Sequence, residues 1–158
     1  MFREVARIKK RLPLETCVEI LKQEPRGVLS VLGDEGYPYG MPLNHWYNEE
    51  DGHLYFHSGK TGHKIDAIRR CDKASFCVYD PGYCHEGEWA LNIRSVIVFG
   101  RIRVVEDAAR AVEITRRLSY KYTDDTAYIE EEIRQYSEGL LVFELIPEHI
   151  TGKLVKES

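Results

Sequence analysis

Leu54-Tyr55-Phe56-His57-Ser58-Gly59-Lys60-Thr61-Gly62-His63-Lys64 joins three local signals in a short space. An alternating apolar run reads as a strand, a Gly/Ser turn ends it, and the turn opens a helix predicted from Gly62 to about Arg70. Lys60 and Lys64 bracket the helix start, with the Ser58 and Thr61 hydroxyls beside them. A helix N-terminus leaves backbone N–H groups unpaired and carries partial positive charge, so it suits a phosphate. The lysines add full charges and the hydroxyls add donors. The stretch therefore reads as a phosphate clamp for a bound cofactor; a polar strand-to-helix turn with solvated lysines is the competing reading. Gly59-Lys60-Thr61 does not complete a nucleoside-triphosphate loop. That loop needs a glycine separated from Gly-Lys-Thr by four residues, and Leu54 stands there. A ligand with one phosphate fits better.

Upstream, the pattern is a helix followed by hairpins. Pro13 to Glu24 is predicted helical, because Leu14, Cys17, Val18 and Leu21 recur at i, i+3, i+4 and i+7. Pro25-Arg26-Gly27 stops it. Gly27 to Leu32 reads as a strand, and Gly33-Asp34-Glu35-Gly36 as the turn of a hairpin. The second arm is predicted to run from Tyr37 to Tyr47. Tyr37, Tyr39, Met41, Leu43, His45 and Tyr47 share one face; Pro38, Gly40, Pro42, Asn44 and Trp46 share the other. Prolines inside a strand imply a sheet edge, a bulge, or backbone facing something other than a neighbouring strand. Glu49-Glu50-Asp51-Gly52 turns the chain into the strand from His53 to His57.

Downstream, Lys73 to Tyr79 reads as a strand, Asp80 to Glu88 as a loop, and Asn92 to Glu106 as a long strand. The first half of the long strand is apolar on both faces, Val96 and Val98 against Ile97 and Phe99. Both faces are predicted buried, the second against a partner chain. Asp107 can cap a helix to about Tyr122, and Thr123 to Ser137 forms another with Tyr128, Ile129, Ile133 and Tyr136 on its apolar side. Glu130-Glu131-Glu132 reads as a solvated face. Leu140 to Ile146 is a strand, Pro147 is expected to break it, and His149 to Val155 forms the last. Hairpin-joined strands interrupted by helices indicate an antiparallel sheet with peripheral helices, and closure into a barrel removes exposed edges.

The 158 residues suit one domain, taken as 1–158. A net charge of −4 with both signs interspersed argues against a nucleic-acid surface. No apolar run is long enough to span a membrane, and Met1-Phe2-Arg3-Glu4-Val5-Ala6-Arg7 lacks the apolar core of a secretory signal. Cys17, Cys71, Cys77 and Cys84 form no C-x-x-C pair and read as reduced thiols of a cytoplasmic protein. Cys84-His85 with Cys71 and Cys77 matches no zinc spacing, so no metal is expected.

Four blocks in order resemble the FMN-binding split-barrel superfamily, which holds the pyridoxamine 5'-phosphate oxidases, and more closely its nitroimidazole-resistance branch. They are Gly27-Val28-Leu29-Ser30-Val31, Tyr39-Gly40-Met41-Pro42-Leu43-Asn44, Leu54 to Gly59 followed by Gly62-His63-Lys64, and Arg94-Ser95-Val96-Ile97-Val98-Phe99-Gly100-Arg101. Ile150-Thr151-Gly152-Lys153 is a weaker fifth. The resemblance implies a mainly β fold with peripheral helices: a six-stranded antiparallel Greek-key split barrel that forms a homodimer, with FMN at the subunit interface. It implies that Pro42, Leu43 and Asn44 pass their backbone along the isoalloxazine edge. His57 and Ser58 would sit near the ribityl chain or ring, Lys60 and Lys64 would hold the phosphate, and Ser95 and Arg94 would approach along the interfacial strand. The arginine-rich substrate clamp of true pyridoxamine-phosphate oxidases has no counterpart here.

Flavin carries hydride and electron chemistry, and the protein supplies binding and orientation. His57 is the one catalytic candidate, since an imidazole can transfer a proton near neutral pH; a plain ligand contact is the alternative. His45, on the hydrophobic face, reads as a satisfied core histidine. Trp46, Tyr47 and Trp89 read as packing residues. The expected function is an FMN-dependent oxidoreductase. It would reduce a small electrophile, nitroaromatic or quinone-like, with electrons from a reduced nicotinamide or another donor. A non-catalytic flavin- or haem-binding protein for storage, sensing or delivery is the alternative.

Overall fold

Eight strands pair antiparallel into one sheet in the computed structural model, which describes residues 1–157. They are β1 (Arg11–Leu12), β2 (Arg26–Leu32), β3 (Pro38–Asn44), β4 (Trp46–Asn48), β5 (His53–Gly59), β6 (Lys73–Tyr79), β7 (Leu91–Val104) and β8 (Leu140–Glu157). Four α-helices accompany them: α1 (Leu14–Gln23), α2 (His63–Arg70), α3 (Ala108–Tyr120) and α4 (Thr126–Tyr136). The strand order is β3-β2-β6-β7-β8-β5-β4, with β1 on β8. The architecture is a mainly antiparallel half-barrel with four helices, and its strand count is eight where the resemblance implied six.

Two differences from the sequence expectation account for the strand layout. The arm expected as one strand from Tyr37 to Tyr47 divides at His45. β3 pairs with β2 and β4 pairs with β5, so the two ends of the strand order meet at a single residue. That corner curls the sheet. The period-two alternation continues through His45, so the division leaves no mark in the pattern. Pro147, in turn, does not break the last strand. β8 runs through it, and the register slips where Phe99 opposes His149 and Gly100 opposes Pro147. A bulge absorbs the extra residue, Glu148. Gly100 permits it, because a Cβ there would run into the Ile146 carbonyl.

β3 pairs only with β2, so Pro38 and Pro42 lie on a sheet edge, where their missing N–H groups are tolerated. Inside the curl, Phe56 packs between Phe76 and Phe143, with ring centroids 5.0 and 5.3 Å away. Leu29, Val78, Val96, Val98 and Leu145 join this core, along with Cys17, Ile20 and Leu21 of α1 and Ile65, Ala67 and Ile68 of α2. A second cluster forms outside the curl, where α3 lays Ile114 and Ala111 over Tyr55, Val105 and Val142. The long strand β7 leaves partly open, in the single chain, the face expected to meet a partner. Val96 and Val98 are buried, but Ile97 and Phe99 are each 39% exposed in the single chain. No helix among the described residues is long and apolar enough to cross a membrane.

Candidate functional site

Side chains alternate along β5, and both faces of this strand are covered. Leu54 and Phe56 enter the core, while Tyr55 lies under α3. His57, two residues on from Tyr55, shares its face and stands at the end of the strand, opposite Val142 of β8. Burial lowers the His57 pKa, and the Lys64 charge lowers it further. The imidazole is therefore held neutral at physiological pH.

The turn after β5 has the form the sequence suggests. Gly62 adopts φ +121°, a conformation open to glycine, and α2 begins at His63. No side chain caps the helix start; the Gly62 carbonyl takes the N–H groups of Ile65 and Asp66. His63 fixes the turn to the β2–β3 hairpin: its ring stacks on Tyr39 at 4.2 Å, and its Nε2 accepts from the Asp34 N–H at 3.2 Å. Lys64 is half-buried, with its ammonium 5.9 Å from the centre of the Phe143 ring, and burial lowers its pKa. Among the described residues neither Lys60 nor Lys64 takes part in an ion pair. A partly desolvated ammonium without a carboxylate is a site that an anion would stabilise. The donor set beside the glycine turn thus fits a phosphate.

The structure brings Asn44, His57 and Lys60 together. All three line one cavity of 620 Å³ between the outer face of β5 and β8 and the α3–α4 hairpin. Lys64 stands beside His57. Leu43 packs on the core and Pro42 is exposed on the β3 edge, while the Ser58 hydroxyl donates to the Gly59 carbonyl at 2.8 Å. Arg94 and Ser95 do not join them within one chain. The Arg94 side chain donates to Asp80 at 2.7 Å. Ser95 lines a different cavity, of 490 Å³, between the segment Arg3 to Arg7 and the outer face of β7 and β8. Cys84 and His85 lie on the exposed loop, and no group of three potential metal ligands occurs among the described residues.

Sequence reasoning missed a polar knot beside the cavity. Lys121, just past α3, donates to the Glu24 carbonyl at 2.7 Å and so satisfies a carbonyl at the end of α1. The Tyr122 hydroxyl donates to the Pro25 carbonyl at 2.6 Å and accepts from the His45 N–H at 2.9 Å. His45 is fully buried, with Nε2 2.7 Å from the Leu21 carbonyl and Nδ1 unpartnered. Burial and then the Lys121 charge push its pKa down to about 3, and burial pushes Lys121 down to about 8. The expected core histidine is thus satisfied on one nitrogen only. The knot ties α1, α3 and the β3–β4 corner together, and so fixes Asn44 next to it. A basic residue at a helix end was the one signal available, and it does not say which carbonyls it meets.

A sequence pattern of the pyridoxamine 5'-phosphate oxidase family matches residues 13–154. Curated proteins give no match. Among solved structures, the chain is similar to a candidate 5-nitroimidazole antibiotic resistance protein from Bacteroides thetaiotaomicron, with 20% identity over 92% of this chain and 87% of that one and a TM-score of 0.78. It is also similar to an FAD-binding protein from Mesorhizobium loti, with 22% identity over 92% and 97% and a TM-score of 0.65. An FAD- and haem-binding protein from Mycobacterium smegmatis aligns at 20% identity over 92% and 73%, with a TM-score of 0.75. At such identities the likeness is one of fold. The family pattern itself runs from the start of α1 into β8 and takes in the corner, the glycine turn and both long strands; the chain belongs to the pyridoxamine 5'-phosphate oxidase family.

Proposed function

We propose that this chain is a homodimeric FMN-binding oxidoreductase of the cytoplasm. Lys60 and Lys64 would hold the phosphate, the backbone of Pro42, Leu43 and Asn44 would follow the ring edge, and His57 and Ser58 would contact the ribityl chain or ring. Ser95 and Arg94 would approach across the subunit interface. Its substrate would be a small electrophile, nitroaromatic or quinone-like, with electrons from a reduced nicotinamide. The observation that carries the reading is Lys64: half-buried, without a carboxylate, and at a helix start opened by a positive-φ glycine. One such clamp serves one phosphate, which favours FMN over FAD.

Bound flavin supplies hydride and electron transfer. The residues of this chain bind and orient. The lysines neutralise the phosphate, and backbone N–H groups near Leu43 and Asn44 would favour negative charge on the ring edge beside them. His57, kept neutral, offers one donor and one acceptor nitrogen to a ligand. That state suits a hydrogen-bonding contact better than proton delivery at neutral pH.

The test is a fluorescence titration of the purified chain with FMN and with FAD, beside its visible spectrum. FMN is expected to bind more tightly; equal affinity for FAD would remove the single-phosphate reading, and a haem absorption band would replace flavin as the ligand. Lys64→Ala is expected to weaken FMN by about 1.5–3 kcal/mol, the usual loss for a charge-assisted contact. That corresponds to roughly 10- to 100-fold in dissociation constant. An unchanged constant takes Lys64 out of the site.

His57→Gln is expected to change FMN affinity modestly and to leave turnover at saturating FMN nearly intact. Were His57 the proton donor, turnover would fall by about two to four orders of magnitude. Steady-state rates measured against pH separate the outcomes, because only a proton donor takes a pH dependence away with it.

A further inference from the structure

We propose that the cavity under the α3–α4 hairpin binds an uncharged, apolar molecule that ends in an acceptor oxygen, as an aromatic quinone does. Calling this molecule the substrate rests on the flavin reading, because the cavity shares Asn44, His57 and Lys60 with that site; its binding does not need the flavin.

The cavity exists because α4 stands off the sheet. α4 packs on α3 and hardly meets the strands. Of its apolar side only Ile129 is buried, while Tyr128 and Tyr136 are 56% and 57% exposed. The resulting space, 620 Å³, falls within the roughly 300–1,000 Å³ of small-molecule sites. Its walls are largely apolar, with the Tyr128, Tyr136 and Ser137 hydroxyls on the α4 side. Val104, Val112, Leu118, Ile133, Leu141 and Val142 face it. The hydroxyls on its α3 wall are already used: Thr115 donates to the Ala111 carbonyl and Ser119 to the Thr115 carbonyl, each at 2.8 Å. The Tyr122 hydroxyl is committed to Pro25 and His45.

The charges around the cavity decide what it excludes. Lys60 is its one cation, against Glu106, Glu132 and Glu138, and all four are exposed. His57 is neutral. An anion would be drawn to Lys60 and opposed by three carboxylates. A cation would leave water for apolar walls with no buried carboxylate to receive it, which is costly. A neutral body avoids both. The Asn44 amide and the His57 ring then supply donors at the polar end, with Lys60 given over to the phosphate when flavin is bound, and these call for an acceptor oxygen.

Calorimetric titration of the full chain as purified, with menadione, naphthoate and naphthylmethylammonium, tests this. All three share the fused ring and differ in charge. Menadione is expected to bind at least about tenfold more tightly than either ion, a difference of about 1.4 kcal/mol. Equal or tighter binding of an ion overturns the proposal. Ile133→Trp and Val112→Trp would fill the cavity from the two helices, and each is expected to abolish menadione binding while circular dichroism stays native. Undiminished binding in a folded variant places the ligand elsewhere. The visible spectrum of the same sample separates the two readings. Menadione binding without flavin leaves this site standing and removes the flavin; flavin without menadione binding does the reverse.

Discussion

Glu144→Ala is expected to cost about 3 kcal/mol of folding stability, the lower end for breaking a buried ion pair. For a chain of this size that lowers the melting temperature by about 6–12 °C. Glu144 sits on β8 under α3 and is 1% exposed. Its carboxylate accepts from Arg103 at 2.6 Å, from Arg110 at 3.1 Å, and lies 3.2 Å from His53 Nδ1. Arg110 also donates to the Tyr55 hydroxyl at 2.8 Å, which in turn donates to Asp51 at 2.6 Å. The lower end applies because both arginines reach solvent and can rehydrate. Burial alone would raise the Glu144 pKa. The hydrogen bonds from Arg103 and His53, with the Arg110 charge, outweigh it and hold the carboxyl below the usual glutamate range. The unfolded value lies near 4.3, so this stabilisation is complete above about that pH and is lost as pH falls through the lower folded value. Urea denaturation between neutral and strongly acid pH should therefore show a steep loss in the parent chain, and a shallower one in the variant. A variant as stable as the parent would mean that this network holds α3 in place without stabilising it.

How much of this was legible in advance depends on how local each signal is. The strand-turn-helix unit after β5 was legible because its three signals follow one another within a few residues, and Gly62 takes the positive φ that such a turn needs. The edge position of β3 was one of the three placements that Pro38 and Pro42 allowed, because their missing N–H groups restrict where they can sit. The division at His45 was not legible, because the residue fits the alternation and turns the chain only when β5 and β2 claim the two halves. Pro147 misled for a related reason: the bulge that accommodates it depends on Gly100, across the sheet. The cavity was hidden in a correct pattern. Tyr128, Ile129, Ile133 and Tyr136 do share a helix side, but the pattern of a helix that covers a core and one that walls a cavity is the same. Arg94 and Ser95 were picked out for a site that one chain does not assemble. Only a neighbour in space, here Asp80, says where the Arg94 side chain goes.

Ile97→Asp is expected to dissociate the proposed homodimer and to release its FMN. Ser95, Ile97 and Phe99 point outward from β7, and in the single chain this face is covered only in part. Phe2 stacks on Phe99 with centroids 5.6 Å apart and on His149 at 5.1 Å, while Arg3 to Arg7 bridge a 490 Å³ space over Ser95, Ile97 and Thr151. An apolar strand face left open in this way matches the core of a stable interface, which is depleted in charge. An aspartate there would be solvated in a monomer. In a dimer it would be a carboxylate taken out of water on an apolar face, and the cations that line the same space, Arg3, Arg7 and Lys153, would each have to give up water to meet it. A loss of about 2–4 kcal/mol, the scale of an interface hot spot, weakens the dimer by roughly 30- to 1,000-fold. Sedimentation at micromolar concentration would then show a monomer where the parent chain shows a dimer. The FMN titration on the same variant decides how the site is built. If Ser95 completes it from the second chain, flavin binding falls together with the dimer. If flavin binds a folded monomeric variant as tightly as the parent, the site lies within one chain, and Asn44, His57, Lys60 and Lys64 suffice. A parent chain that sediments as a monomer would end the interfacial reading altogether, leaving the N-terminal segment as the cover of this outer face of β7.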